Sequence, residues 1–260
     1  TFGQDDTGKY LYLIYGNSNQ TVLLDKRTGA EAGTINIALS YRVWLSDNLI
    51  FMADGSTNMY AIDQDNLRKT LVASGVSAVS RVGGKLQFLS VTESGVIRNI
   101  LDMETCEFER RIMVSATGRT CSPNDYVPVC IDSAGKTVLW KETGTGTDTF
   151  RGFVTYSADN KLLKRIAVQY GTGTRYLFYA LDEKGICNHV LHWARYTPSS
   201  PDTHTLNGVD LNTGVVAVRS QSTNSYPPDA FAGAFQSAGT SYFLFNGWYV
   251  YPGGTDYRGK

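Results

Sequence analysis

Histidines are the side chains of this sequence that could most readily bind a metal, and there are only three of them. His189 and His192 stand three residues apart in the segment His-Val-Leu-His-Trp. On a helix that spacing would place both imidazoles on one face, whereas on a strand it would place them on opposite faces. The apolar flanking residues favour a strand, so we predict neither a metal site nor a cofactor here.

Motifs of nucleophilic, phosphate-binding and calcium-binding sites are incomplete in this chain. It has no Gly-x-Ser-x-Gly segment, which is typical of one large class of serine hydrolases. The Gly-Thr runs at 144–147 and 171–174 lack the Gly-Lys-Ser/Thr ending of a phosphate loop, and we interpret them as hairpin tips. The acidic segment 63–66 lacks the glycine and closing glutamate of a calcium loop, so turn formation explains it more simply.

Four carboxylates near predicted strand ends leave glycoside hydrolysis open as an alternative. They stand at similar points of their units and could line one rim: Asp54, Glu93, Asp132 and Glu183. A pair of such groups is what most glycosidases use. Repeat geometry would also place any polar turn residue there, so we prefer a non-catalytic interpretation and leave the question of an enzyme open.

Aromatic residues near two polar loops are the best candidates for binding. The loops are predicted at 196–205 and 220–229, and long loops on a rigid scaffold commonly carry recognition. Aromatic rings offer flat faces to a sugar or a protein surface. The candidate binding residues are Trp193, Tyr196, His204, Tyr226, Trp248 and Tyr251. For the tryptophans, packing inside the fold is the competing interpretation.

A recurring turn defines the elements that would position these residues. Similar phrases occupy 23–29, 60–66, 99–105 and 208–214, each a strand that ends in Asp and is followed by a second strand. The Asp side chain can accept hydrogen bonds from backbone amides two residues on, and a left-handed residue can close the turn. We assign this role to Asp25, Gly29, Asp63, Asp102, Asp210 and Gly214.

The spacing of these turns indicates the fold. Asp25, Asp63 and Asp102 recur at intervals of 38 and 39 residues, a period typical of propeller blades. We take Lys141 and Asp182 as the next two anchors, although Asp210 follows Asp182 too soon for a full unit.

The Asp-x-x-Thr-Gly hairpin on this period resembles the PQQ-like and YVTN-like repeats of the β-propeller superfamily. The resemblance covers about the first 140 residues well and the remainder poorly. It implies architecture and not quinone chemistry, because quinoprotein dehydrogenases have more blades, adjacent cysteines and a calcium site. It implies an all-β fold, a β-propeller of about six four-stranded antiparallel blades, with five or seven as the alternatives.

We predict a single domain over 1–260. The strands at 10–15 and 248–251 are expected to meet, so that pairing of N- and C-terminal strands closes the ring and removes exposed sheet edges.

Composition limits the partners. The 24 basic residues equal the 24 acidic ones, so no basic excess is present to neutralise a phosphate backbone, and we expect no nucleic-acid partner. No run approaches the about 20 apolar residues of a membrane span. The cysteines, Cys106, Cys121, Cys130 and Cys187, form no CxxC pair. Either Cys121 bridges Cys130 or the thiols are buried and free.

The preferred hypothesis is a binding or scaffolding module that contacts a protein partner through the loops of one face. The alternative is a carbohydrate-binding or glycan-cleaving propeller of a secreted or particle-surface protein, and an extracellular or particle-surface location is favoured. Because the chain begins with Thr and not Met, we also expect that it was processed or is one module of a larger assembly.

Overall fold

Strands are the regular elements of the described part of the chain. The computed structural model describes residues 2–4, 9–14, 20–37, 39–46, 48–54, 56–115, 125–142, 150–168, 175–196, 203–222, 231–238, 240–245, 248–250 and 257–258. In these residues, 24 strands form six four-stranded antiparallel sheets, and each sheet pairs its strands in chain order. The predicted all-β class and the count of about six four-stranded sheets are confirmed.

The first three sheets follow one another along the N-terminal part of the chain. Sheet 1 contains β1 Phe2–Gln4, β2 Tyr10–Ile14, β3 Thr21–Asp25 and β4 Glu31–Ile35. Sheet 2 contains β5 Leu39–Leu45, β6 Leu49–Asp54, β7 Met59–Asp63 and β8 Lys69–Ala73. Sheet 3 contains β9 Ser77–Val82, β10 Lys85–Thr92, β11 Gly95–Leu101 and β12 Phe108–Ser115.

Three more sheets complete the described chain. Sheet 4 contains β13 Tyr126–Ile131, β14 Thr137–Lys141, β15 Gly152–Tyr156 and β16 Leu162–Ala167. Sheet 5 contains β17 Arg175–Leu181, β18 Cys187–Tyr196, β19 Thr203–Asp210 and β20 Val216–Ser222. Sheet 6 contains β21 Phe231–Ser237, β22 Thr240–Phe245, β23 Trp248–Val250 and β24 Tyr257–Arg258.

The chain divides into two compact units. The first unit comprises residues 1–91 and 97–111, and the second comprises 92–96 and 112–260. The terminal strands belong to different sheets, since β2 pairs with β1 and β3 while β23 pairs with β22 and β24. The described residues show no pairing between the two, so ring closure stays a prediction.

The inner strands of sheets 2 and 5 are apolar on both faces because each of these two sheets has a core on either side. In the first unit, Ile50 and Met52 of β6 lie in the core shared with sheet 1, and Phe51 lies in the core shared with sheet 3. In the second unit, Val190 of β18 packs toward sheet 4 and Leu191 toward sheet 6. Side-chain alternation on a strand thus gives two cores from one continuous apolar run.

The recurring Asp turn joins the third and fourth strands of sheets 1, 2, 3 and 5. Asp25 Oδ1 accepts hydrogen bonds from the backbone N–H groups of Arg27 (2.9 Å) and Thr28 (2.8 Å). Equivalent pairs of bonds are accepted by the side chains of Asp63, Asp102 and Asp210. The Thr28 and Thr105 amides are the main cause that lowers the pKa values of the Asp25 and Asp102 carboxyls, respectively.

The residue four positions after each of these aspartates has a left-handed backbone. Gly29 and Gly214 supply it in two turns, but Leu67 (φ 56°) and Cys106 (φ 59°) adopt it in the others. Leu67 packs into the core between sheets 1 and 2, against Gly33 of β4, where a Cβ atom would overlap the leucine side chain. Packing therefore offsets the backbone strain at this leucine.

Of the anchors assigned beyond Asp102, Lys141 and Asp182 are wrong, and the reason is strand position. Lys141 ends the second strand of sheet 4, and Asp182 follows the first strand of sheet 5. The turn between the third and fourth strands of sheet 4 instead begins at Ser157, whose N–H donates to the Lys161 carbonyl. Longer connections in sheets 4 and 5 increase the spacing between equivalent turns, so the period is not recognisable in this part of the sequence.

We predict that Gly152→Ala lowers the free energy of unfolding by at least about 2 kcal/mol. Gly152 has φ 149°, and an added Cβ would overlap the carbonyl oxygen of Ile166 in β16. Gly75→Ala is the matched control, since Gly75 also has a positive φ (68°) but has no atom within 4 Å of the new Cβ. Chemical denaturation measures both variants, and equal losses would contradict the steric explanation.

We predict that acidification destabilises the fold partly through these turns. The pKa values of Asp25 and Asp102 are lowered in the folded protein, so their contribution to stability is present above the unfolded-state pKa of about 3.9 and is lost as pH falls through the folded-state values. Denaturation series between about pH 2 and pH 7 should therefore show a smaller acid-induced loss in the double variant Asp25→Asn, Asp102→Asn than in the wild type. An unchanged loss would contradict this.

Candidate functional site

Short and long connections leave opposite ends of sheets 4 and 5. The short connections follow the first and third strands, each has five residues, and they occupy 132–136, 157–161, 182–186 and 211–215. The longer ones follow the second and fourth strands and occupy 142–151, 168–174, 197–202 and 223–230. Because neighbouring strands are antiparallel, every short connection lies at one end, here called the short-turn end, and every longer one leaves from the other, the long-connection end.

Polar contacts join the short turns of sheets 4 and 5. The Ser133 N–H donates to the Gly185 carbonyl (2.9 Å), and the Lys136 ammonium donates to the Cys187 carbonyl (2.6 Å). The fully buried Asp132 carboxylate accepts the Cys187 N–H (3.2 Å) and lies 3.5 Å from the Lys136 ammonium. This carboxylate and this ammonium thus satisfy backbone groups of the neighbouring sheet and hold the two turns together.

His189, Ser241 and Asp210 form an arrangement that resembles a catalytic triad. His189 Nδ1 lies 2.8 Å from Ser241 Oγ, and His189 Nε2 lies 3.8 Å from Asp210 Oδ2. Gln236 donates to the same serine oxygen (3.0 Å), so one hydroxyl has both side chains as partners.

The serine of this arrangement is inaccessible. Ser241 is 0% exposed, so its oxygen cannot reach a substrate. Burial lowers the pKa of His189 below its ordinary value, the Asp210 carboxylate opposes that effect, and Lys136 adds to it, so the imidazole is neutral at pH 7. The geometry therefore joins sheet 5 to sheet 6 and leaves no nucleophile open to attack.

Chain separation explains why the sequence did not reveal this contact. His189 and Ser241 are 52 residues apart and belong to no common motif. The structure does place His189 and His192 on opposite faces of β18, since the His192 ring stacks on Trp140 of sheet 4 with 4.2 Å between centroids. The two histidines therefore cannot bind one metal ion together.

The four carboxylates proposed as a rim do not occupy equivalent positions. Asp54 ends the second strand of sheet 2 and Glu93 lies between the second and third strands of sheet 3, whereas Asp132 and Glu183 lie between the first and second strands of sheets 4 and 5. The expectation that all four stand at similar points of their units is therefore wrong. Among the described residues, no group of three or more His, Cys, Asp or Glu side chains could hold a metal ion.

Trp193 is packed inside the second unit. Its indole is only 8% exposed and lies in the core between sheets 5 and 6 with Leu206 and Phe243. Tyr176, its register partner on β17, covers it with a ring 5.4 Å away and remains 38% exposed. Tyr176 is thus an accessible aromatic residue toward the long-connection end, and sequence reasoning missed it because it lies in a strand.

The other candidate binding residues lie in strands or outside the described residues. Tyr196 ends β18 opposite Thr203, so the loop predicted at 196–205 is shorter than expected. His204 lies in β19, paired with Arg195 and Ser222, and its assignment to that loop is wrong. Trp248 begins β23, opposite Phe245. Tyr226 and Tyr251 lie outside the described residues.

A groove in the first unit is lined largely by apolar side chains and offers few groups for catalysis. It has a volume of about 530 Å³, and residues of sheets 2 and 3 line it, among them Leu71, Val72 and Phe108. Its one lining carboxylate, Asp63, already accepts the backbone hydrogen bonds of its turn. In the described part of the chain, no helix is long and apolar enough to cross a membrane.

Comparison with known proteins identifies the architecture. No protein-family model and no curated protein matches this chain. Its structure is similar to hydrazine synthase of Kuenenia stuttgartiensis (TM-score 0.58, 12% identity, 93% of this chain and 72% of that one). It is also similar to Hsv2 of Kluyveromyces lactis (TM-score 0.55, 10% identity, 97% of this chain and 77% of that one). A third similar structure is an oligogalacturonate lyase of Vibrio parahaemolyticus (TM-score 0.50, 10% identity, 90% of this chain and 66% of that one).

These neighbours are β-propellers, and identities this low inform on the fold alone. The likeness is one of fold, that of the β-propellers, and the repeat type of this chain stays a prediction.

Proposed function

We propose that this protein is a non-catalytic binding or scaffolding module, a single domain over 1–260, and that it contacts a protein partner through the long-connection end of sheets 4 and 5. The carrying observation is the separation of short and longer connections to opposite ends of these sheets. Variable surface segments on a stiff base are a common arrangement for recognition.

The short-turn end supplies the stiff base. Its turns are tied to one another by the bonds of Asp132, Lys136 and Ser133, and the Leu211 N–H donates to the Asn188 carbonyl (2.9 Å) within sheet 5. Because many polar groups of these five-residue turns are already hydrogen-bonded within the fold, few remain to bind a partner. The opposite end carries more chain and therefore more surface for contact.

Proline content favours binding by the longer connections. Pro198 and Pro201 lie in 197–202, and Pro227 and Pro228 lie in 223–230, which is four of the seven prolines of the chain. Proline restricts the backbone before a partner arrives, so less conformational entropy is lost on binding. Of the candidate residues, Tyr226 is part of the sequence 223–230, and Tyr196 and His204 are at the strand ends that flank 197–202. We add Tyr176 to this set.

A carbohydrate partner is the alternative, and the Tyr176 ring is the observation that favours it. An exposed aromatic face that a second ring holds in place can stack on a sugar. Trp248, which begins β23 of sheet 6, and Tyr251 stay candidates for such binding. In this alternative the protein acts at an extracellular or particle surface.

We predict that replacing residues 223–230 with a Gly-Ser segment of equal length removes partner binding while leaving the fold intact. The change deletes Tyr226 and both prolines at the long-connection end. The double variant Glu183→Ala, Lys184→Ala is the matched control, since both residues are exposed at the short-turn end. Affinity capture followed by mass spectrometry compares the two with the wild type.

The outcomes of that capture experiment distinguish the possibilities. Loss of a captured protein in the first variant alone supports the proposal, whereas equal capture by both variants contradicts it. A glycan array run in parallel tests the alternative, because sugar binding that depends on Tyr176 would replace the protein-partner proposal.

We predict that Ser241 does not react with a fluorophosphonate probe in the folded protein. Its hydroxyl is fully buried and is hydrogen-bonded to His189 and Gln236. Ser241→Ala should instead lower the free energy of unfolding by about 1 kcal/mol, because His189 and Gln236, both partly buried, each lose a hydrogen-bond partner. A probe adduct on the Ser241 peptide of the native protein would contradict the non-catalytic proposal.

A further inference from the structure

Two buried cysteines from neighbouring sheets lie beside each other in the second unit. Cys130 is in β13 of sheet 4, and Cys187 begins β18 of sheet 5. Asp132 directly follows β13, two residues after Cys130. The Asp132 carboxylate accepts the Cys187 N–H at 3.2 Å, which fixes the start of β18 next to the end of β13.

The thiols also share one apolar environment. Both are in the core cluster that contains Trp140, Phe153 and Val190, and they are 2% and 0% exposed. The neighbouring Cys187 thiol and burial together raise the pKa of the Cys130 thiol well above its ordinary value. Both are free thiols in the structure. A disulfide requires that its two cysteines lie close together, and these two enter one core cluster from adjoining sheets.

We propose that Cys130 and Cys187 form a disulfide that joins sheets 4 and 5 when the chain folds in an oxidising environment. This inference goes beyond the proposed function and does not depend on it. It also differs from the Cys121–Cys130 bridge considered from the sequence, since Cys121 lies outside the described residues.

The chemistry is thiol–disulfide exchange with a small-molecule disulfide such as oxidised glutathione. The thiolate of one cysteine attacks that disulfide, forms a mixed disulfide and releases one glutathione thiolate. The second cysteine thiolate attacks the protein-bound sulfur, closes the Cys130–Cys187 bond and releases the second glutathione. The two electrons given up by the protein thiols reduce the oxidant, and their two protons pass to the released thiolates.

The timing follows from burial. In the folded core, the raised pKa keeps Cys130 protonated, and neither sulfur is open to an oxidant. The exchange therefore takes place while sheets 4 and 5 assemble, before the core excludes the reagent. Folded reduced protein should stay reduced for long periods in the same glutathione buffer.

The test is refolding of the reduced, denatured wild-type chain in a mixture of reduced and oxidised glutathione. Remaining thiols are alkylated under acidic denaturing conditions, and the protein is digested and mapped by mass spectrometry. We expect a linked peptide pair that contains Cys130 and Cys187. Recovery of a Cys121–Cys130 pair, or alkylation of all four cysteines, would overturn the proposal.

Thermal unfolding supplies an independent readout. The bridge closes a loop of almost sixty residues, so the melting temperature of the oxidised protein should exceed that of the reduced protein by about 5–10 °C. Cys106→Ala is the control that keeps this difference, because Cys106 is outside the pair. Cys187→Ala should abolish it, and a redox-dependent melting temperature that persists in this variant would refute the assignment.

Discussion

Burial of both faces of the inner strands is the constraint on which the rest of this structure depends. A sheet with a single apolar face could stand against one neighbour, whereas β6 and β18 send alternate side chains into two different cores. Each fully buried Leu, Ile or Phe side chain contributes about 1.5–3 kcal/mol. Such sheets are stable only between neighbours, which is why the fold is a succession of sheets and not an isolated one.

Polar contacts between the sheets are a consequence of that stacking. Where two sheets meet, side chains such as Asp132 and His189 are shielded from water, and each is hydrogen-bonded to a group of the neighbouring sheet. The His189–Ser241 contact has the residue types of an enzyme site but serves to satisfy buried groups. Exposure separates the two roles, because a nucleophile must be reachable and this serine is not.

Local chemistry was predictable from the sequence, and contacts between sheets were not. The turns at Asp25, Asp63 and Asp102 depend on hydrogen bonds that span two or three residues, so their residue types reveal them. The constant period predicted the repeated turn wrongly at Lys141 and Asp182, because connections of variable length separate the strands of sheets 4 and 5. The Cys130–Cys187 contact, Trp193 in its core and the exposed ring of Tyr176 depend on which sheets are neighbours, and a single sequence does not contain that information.

The left-handed leucine at position 67 has an evolutionary consequence. Leu67 and Gly33 fit together across sheets 1 and 2, since the missing side chain of one makes room for the other. Replacement of Leu67 by glycine would relieve its backbone but open a void, which a larger residue at position 33 could fill. The two positions are therefore coupled through one packing contact, and a change at either alters which residues fit best at the other.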